Sequence, residues 1–560
     1  MKRKIVLSLC LAISVVLAGC DLIFGPTYTI TYNANGATSG TVPTDSGSYH
    51  KGDNATVLDE GTLGKSGYSF EGWCLRADGL GTLYNPGDSL RMGSDDAILY
   101  AIWLVVPEKR LEGMGAVSLA AYNNRYIYSI VSATPSAKPE ANAAPTAKYD
   151  YYLNTTSSLA NVAAPAADRM ASAAGRGNPA APQARKDLTS RTMESRLLAS
   201  RPRQVSKSAA ARSRAAPASI AVGTKWNHII VSDANDDLWY TDTTCRKISE
   251  HAYFFIDDAD IAIMDPFLDA YGIAFDAIYH KNHTKFGEED DVDGNGKVIV
   301  VFSDIITDGL LGYFWSVDKF ENDATENPYS NEGDIIYFTT DAEFQVGTSD
   351  TLLGTLAHEL QHMIYFDEHY DRGAAGSYAW LNEALSQAAE YYNGYLDNHF
   401  DWINSFLLDY GSELSLTHWT SNNYGYGAIY IRYLIDQFGD AAIKNMCATN
   451  LIGIDAVEGA TGEDFNDLFV DFSRAIVMSG TGDSDNPAYE FTTLDLAEVQ
   501  PTGRGGLLPY AANPVFQAGV DDIDYWVYPY SLEFDHWHGE FGTMSITGAS
   551  IVATAFGLSR

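Results

Sequence analysis

His358 and His362 stand four residues apart in Thr355-Leu-Ala-His-Glu-Leu-Gln-His-Met-Ile364, with Glu359 between them. Leu352, Leu353, Leu356, Leu360 and Ile364 recur at helical spacing, which predicts an amphipathic helix that Ser349 or Asp350 can cap. Residues four apart on a helix share one face, one turn apart. Both imidazoles can therefore reach one Zn²⁺, at about 2.0–2.1 Å. Glu359 is placed to take a proton from a metal-bound water. A catalytic zinc needs a third protein ligand and an open position. A Gly at 365 and a His at 368 would supply it in one known pattern, but Tyr365 and Glu368 stand there, and His369 lies one residue off. Downstream, Trp380-Leu-Asn-Glu-Ala-Leu-Ser-Gln-Ala-Ala-Glu390 reads as a second amphipathic helix. It carries two carboxylates, Glu383 and Glu390, far enough along for the chain to fold back beside the first helix.

The string Asn382-Glu-Ala-Leu-Ser386 resembles the third-ligand helix of the gluzincin metallopeptidases. That resemblance implies Glu383 as the third zinc ligand, with Glu390 as the competing choice. Thermolysin-like members have an Asp orienting a zinc histidine where this chain has Gln387. A neutral amide would polarise imidazole less. Gluzincins also often use a Tyr or His from a later segment to stabilise the oxyanion. Asn423-Tyr-Gly-Tyr-Gly-Ala-Ile-Tyr430 opens a helix some forty residues after Glu383. Tyr424 is the implied catalytic partner of Glu359, and Tyr426 is its substitute.

Residues 222–479 as a whole resemble the hyicolysin-type metallopeptidases of peptidase family M30. The resemblance rests on Phe275-Asp-Ala-Ile-Tyr279, Asp291-Val-Asp-Gly-Asn-Gly-Lys297, the two helices above and Tyr433-Leu-Ile-Asp-Gln-Phe-Gly439. It implies an α+β zincin-type domain and a secreted zinc endopeptidase acting on proteins or peptides. An aminopeptidase is the alternative, but its Gly-x-Met-Glu-Asn strand is missing from the sequence. Gly333-Asp-Ile-Ile-Tyr-Phe-Thr-Thr340 reads as a strand, either the sheet edge that pairs with extended substrate or an internal one. Asp291, Asp293 and Asn295 sit at positions 1, 3 and 5 of a loop with Gly at 6, as a Ca²⁺ loop would. Position 12 is Phe302, so a plain turn competes with calcium.

The rest of the chain delivers and supports this domain. Lys2, Arg3 and Lys4 precede an apolar run at 5–17, too short to span a bilayer comfortably. Leu17-Ala-Gly-Cys20 resembles the lipobox of bacterial lipoproteins. It implies a signal peptide at 1–19, a lipidated N-terminus at 20–27 with Cys20 as the membrane anchor, and export of everything after it. Residues 28–103 carry Tyr32-Asn-Ala-Asn-Gly36, Gly67-Tyr-Ser-Phe-Glu-Gly-Trp73, Tyr84-Asn-Pro-Gly87 and Leu99-Tyr-Ala-Ile-Trp103. They resemble a Listeria–Bacteroides repeat, a small β-grasp-like module acting as a stalk or as an adhesive surface for surface polymer or host matrix. A surface adhesin with a vestigial peptidase domain is therefore the alternative from another functional class.

Residues 104–221 read as an Ala/Ser/Pro/Arg-rich linker, in which the aromatic patch Tyr122–Tyr128 offers a strand pair and nine basic against two acidic residues fall between 185 and 214. Residues 222–480 are the peptidase unit, and 481–560 a β-rich C-terminal region. The expected architecture is thus multi-domain: β module, linker, α+β metallopeptidase, β-rich tail. The net charge of -37 disfavours nucleic acid as a partner. It is concentrated at 222–480, where 45 acids face 11 bases. Cys74, Cys245 and Cys447 remain after export, as one disulfide or three thiols.

Overall fold

The computed structural model describes residues 26–154 and 216–557 apart from short internal stretches, the longest being 341–349 and 497–514. Cys20 with its signal sequence, Ser349 and the basic run 185–214 lie outside the described residues. No helix among the described residues is long and apolar enough to cross a membrane. Cys74, Cys245 and Cys447 are three buried free thiols.

Residues 28–105 form strands around a small core. Ile30–Asn33 runs parallel to Ala97–Val105, which pairs antiparallel with Tyr68–Cys74. Trp73 is the centre: fully buried, edge-on to Tyr32 at 4.6 Å, its indole N–H donating to Leu58 O at 2.9 Å. A buried Trp needs such a partner for its polar end.

The linker expectation fails over its first part. Lys109–Glu112, Gly115–Ser118, Arg125–Ala133 and Tyr149–Asn154 are strands that pair with the C-terminal strands. One sheet runs in the order 515–518, 532–539, 125–133, 551–557, 109–112, and a second in the order 115–118, 543–546, 149–154, 522–527. The tail is β-rich as expected, but it shares its sheets with the segment before the peptidase unit. Strand signals such as Tyr149-Asp-Tyr-Tyr-Leu153 were present, yet nothing local reveals partners nearly four hundred residues away.

The peptidase unit has a six-stranded sheet: β1 (Lys225–Ser232), β2 (Leu238–Ile248), β3 (Ala252–Asp257), β4 (Val298–Ser303), β5 (Gly312–Phe314) and β6 (Ile335–Thr339). Their spatial order is β1-β2-β3-β4-β6-β5. β3, β4 and β6 are parallel, and β5 closes the edge antiparallel to β6. β4 and β6 are buried at every position, as apolar runs in a parallel sheet require. Ile335–Thr339 is therefore an internal strand. The edge is Gly312–Phe314, a three-residue strand too short to show periodicity.

Helices α1 (Leu268–Lys285), α2 (Asp350–Asp371), α3 (Ala379–Asn393), α4 (Leu396–Leu408), α5 (Tyr424–Cys447), α6 (Gly453–Thr461) and α7 (Phe465–Met478) pack in and beside this sheet. α2 and α3 are buried along most of their length, which suits helices that form the centre of a domain. α1 crosses between β3 and β4 and braces α2: the Asn282 side-chain amide donates to Ala357 O at 2.8 Å. α3 stops at Gly394, whose φ of 86° gives the left-handed cap that glycine adopts at low cost.

Candidate metal centre

α2 and α3 lie side by side and bring His358, His362 and Glu383 to one point. Each offers a ligand atom, and these atoms all lie within 4.8 Å of one another. Glu383 Oε2 is 3.2 Å from His358 Nε2, and its Oε1 is 3.6 Å from His362 Nε2. Tetrahedral donors with metal bonds near 2.0–2.1 Å stand about 3.3 Å apart, so the spacing fits a zinc ion.

The backs of both rings are held. His358 Nδ1 is 2.7 Å from Glu390 Oε1, and a carboxylate there accepts, so the imidazole hydrogen sits on Nδ1. The Nε2 lone pair then faces Glu383. His362 Nδ1 meets Asn382 Oδ1 and Ser386 Oγ, each at 3.0 Å, while the Ser386 hydroxyl donates to Gln361 Oε1. Glu390 thus lies behind the histidine rather than among the converging donors. It stands behind His358, where the family pattern has an Asp at the position of Gln387, and Gln387 Nε2 donates to Glu390 Oε1 at 2.9 Å and holds it there. A carboxylate stands behind His358 after all, three residues later than the family pattern implied.

Glu359 lies beside the sheet edge, where the Phe314 backbone N–H donates to its Oε2 at 3.0 Å. Glu359 is therefore held by β5, a contact that sequence spacing could not show. Tyr424 begins α5, fully buried, its ring 6.4 Å from that of His358 and wedged between Trp402 and Trp419 at 5.0 and 5.1 Å. The next residue must be glycine, because a Cβ on Gly425 would stand 2.0 Å from Trp402 O. Tyr426 points elsewhere: its hydroxyl donates to Tyr530 O at 3.1 Å, and its ring stacks on Phe406. Of the two tyrosines, only Tyr424 meets a histidine ring of the centre.

Residues 292–413 match the Peptidase M30 family model. The M30 match contains His358, Glu359, His362, Glu383 and Glu390 and ends before Tyr424. Residues 28–102 match the Listeria-Bacteroides repeat domain. The neutral metalloprotease ShpI of Staphylococcus hyicus is 29% identical over 194 residues, 31% of this chain and 44% of that protein. Two proteins of Evansella cellulosilytica whose names describe membrane proteins are 42% identical over 77 residues and 32% identical over 112. These matches cover 14% and 20% of this chain, and 11% and 13% of those proteins. The chain thus spans less than half the length of the curated relatives it matches. Native yeast LTA4 hydrolase aligns at a TM-score of 0.25 and 10% identity, over 42% of this chain and 41% of that one, too slight a likeness to carry fold or activity across. The M30 match and the metalloprotease relative support a metallopeptidase, a hydrolase.

A buttress holds the start of α3. Residues 133–142 leave the shared sheet and run onto the helices: Asn142 Oδ1 accepts from Ala379 N at 2.6 Å, and Glu140 Oε2 accepts from Trp380 Nε1 at 2.6 Å and Ile454 N at 2.9 Å. Burial pushes the Glu140 carboxyl up to about 7 despite these donors.

At the loop read as a calcium site, Asp291 and Asp293 gather with Asp334. Asn295 turns inward: its side-chain amide donates to Asp293 Oδ2 at 2.6 Å, and its Oδ1 accepts from Lys297 N at 2.8 Å. Asp334 also meets the buried Lys319 ammonium at 2.5 Å, so one cation already serves that carboxylate.

Proposed function

We propose that the chain is a zinc endopeptidase, exported and held at a membrane by lipid on Cys20, that hydrolyses peptide bonds of proteins. The observation that carries the reading is the convergence of His358, His362 and Glu383 with Glu359 alongside, at the open edge of a sheet. When bound there, zinc would supply a Lewis acid that polarises water and the scissile carbonyl.

The protein's own groups do the rest. Glu390 and Asn382 fix which nitrogen of each histidine faces the centre. β5 offers a sheet edge against which an extended peptide can lie, gripped through its backbone and so with little demand on sequence. Glu359 removes the proton from the attacking water at its carboxylate and returns it to the leaving amine. The Tyr424 hydroxyl donates to the developing oxyanion. The repeat module and the basic segment after residue 154 serve as stalk and spacer. Calcium at Asp291, Asp293 and Asp334 would tie the loop before β4.

The deciding experiment is Glu359→Gln, which should abolish casein cleavage while zinc stays bound. Cleavage at the parent rate would sink the mechanism. Peptides blocked at the N-terminus should be cut; an aminopeptidase would spare them. A vestigial domain would bind host matrix with or without chelator and cut nothing.

A further inference from the structure

We propose a second transition-metal site on the surface, formed by His251, His280 and Glu250. His280 lies on α1, and His251 and Glu250 on the turn between β2 and β3. Their ligand atoms lie within 4.8 Å of one another. The Nε2 atoms of the two histidines are 3.3 Å apart, and Glu250 Oε1 is 3.9 Å from His251 Nε2. Two imidazole nitrogens on a tetrahedral zinc with bonds near 2.0–2.1 Å stand about 3.3 Å apart, so the pair already has the edge length of a coordination tetrahedron. Glu250 is exposed, and by the same geometry its Oε1 has to come roughly 0.6 Å closer to His251 Nε2 to stand at ligand spacing. A fourth position stays open to water.

The site is built rather than accidental. Asp276, one helical turn before His280 on the same face of α1, clamps the opposing turn: it accepts from Ser249 Oγ at 2.8 Å, Glu250 N at 3.1 Å and His251 N at 2.9 Å. The His251 ring lies flat on Tyr279 at 4.1 Å and edge-on to His280 at 4.6 Å, so its direction is set. The charged groups that face it are Asp276 and Glu250, which favour a cation, and Lys297, which opposes one and is held by Ser249 O and Glu250 O. Two nitrogens and one carboxylate suit Zn²⁺, Ni²⁺ or Cu²⁺ rather than Ca²⁺ or Mg²⁺.

An ion here joins α1 to the sheet at the end of the helix that also holds Ala357 of α2 through Asn282. It stabilises the scaffold of the catalytic centre without touching it.

The test uses the full chain carrying Glu359→Gln, so that it cannot digest itself, titrated with Zn²⁺. Elemental analysis should give two ions per chain, and the second should raise the unfolding temperature by a few degrees. His280 is exposed, so His280→Ala removes a ligand without opening the core. That variant should hold one ion and lose the second thermal shift. Glu250→Gln should keep the second ion with weaker affinity. One ion in the parent, or two retained in His280→Ala, would overturn the site.

Discussion

The two histidine pairs reach a similar geometry by opposite routes. His358 and His362 share one buried helix, and each ring is fixed from behind by a hydrogen-bonding side chain. His251 and His280 come from two elements at the surface, aligned by a carboxylate clamp and a stacked tyrosine. The first arrangement is committed: removing a group behind a ring disturbs a site that has no slack. The second is adjustable, because water can replace any ligand. Burial and support, not the histidines themselves, separate the interior pair from the surface pair.

That contrast can be broken in order of effect. Glu359→Gln should lower kcat by about 10³-fold or more, with zinc content unchanged by elemental analysis. Tyr424→Phe should lower kcat by roughly 10²-fold with little change in KM, and a parent-like kcat would place the oxyanion donor elsewhere. Glu390→Gln should weaken zinc binding by about 10–100-fold in competition with a chelator, since His358 loses its charged acceptor. His280→Ala should leave casein turnover at the parent rate once the catalytic zinc is loaded, so any large loss would merge the two sites.

The smallest effect concerns pH. Glu140 touches the start of α3 and not the surface pair. Its folded carboxyl holds a proton up to about 7, whereas the unfolded chain releases it near the ordinary value of 4.5. The folded state therefore binds more protons between those values, and its stability falls as pH rises through that window, then levels off. Parent minus Glu140→Gln should show this slope, on the order of 1 kcal/mol per pH unit between those values, in denaturant titrations from pH 4.5 to 8.

What was readable in the sequence was whatever is written locally. Helical spacing of His358 and His362 placed them together because α2 is one uninterrupted element, and Glu383 followed on the next helix. The repeat module was equally plain, since its turns and aromatics lie within one short stretch. What stayed hidden depends on distant chain. Phe314 holds Glu359 from a strand of three residues, and Glu390 displaced Gln387 because only the packing of α3 on α2 decides which side chain meets Nδ1. His251 and His280 are 29 residues apart on different elements, with no periodicity to join them. The segment after residue 104 was misread for the same reason. Its strands complete sheets whose other members lie beyond residue 514.

Both sheets interleave strands from before residue 155 with strands from after residue 514. Cutting the polypeptide once between residues 154 and 216 would leave strands on both sides of the cut paired in both sheets. Each product would own part of both sheets, and the two would comigrate in native gels and separate only when denatured.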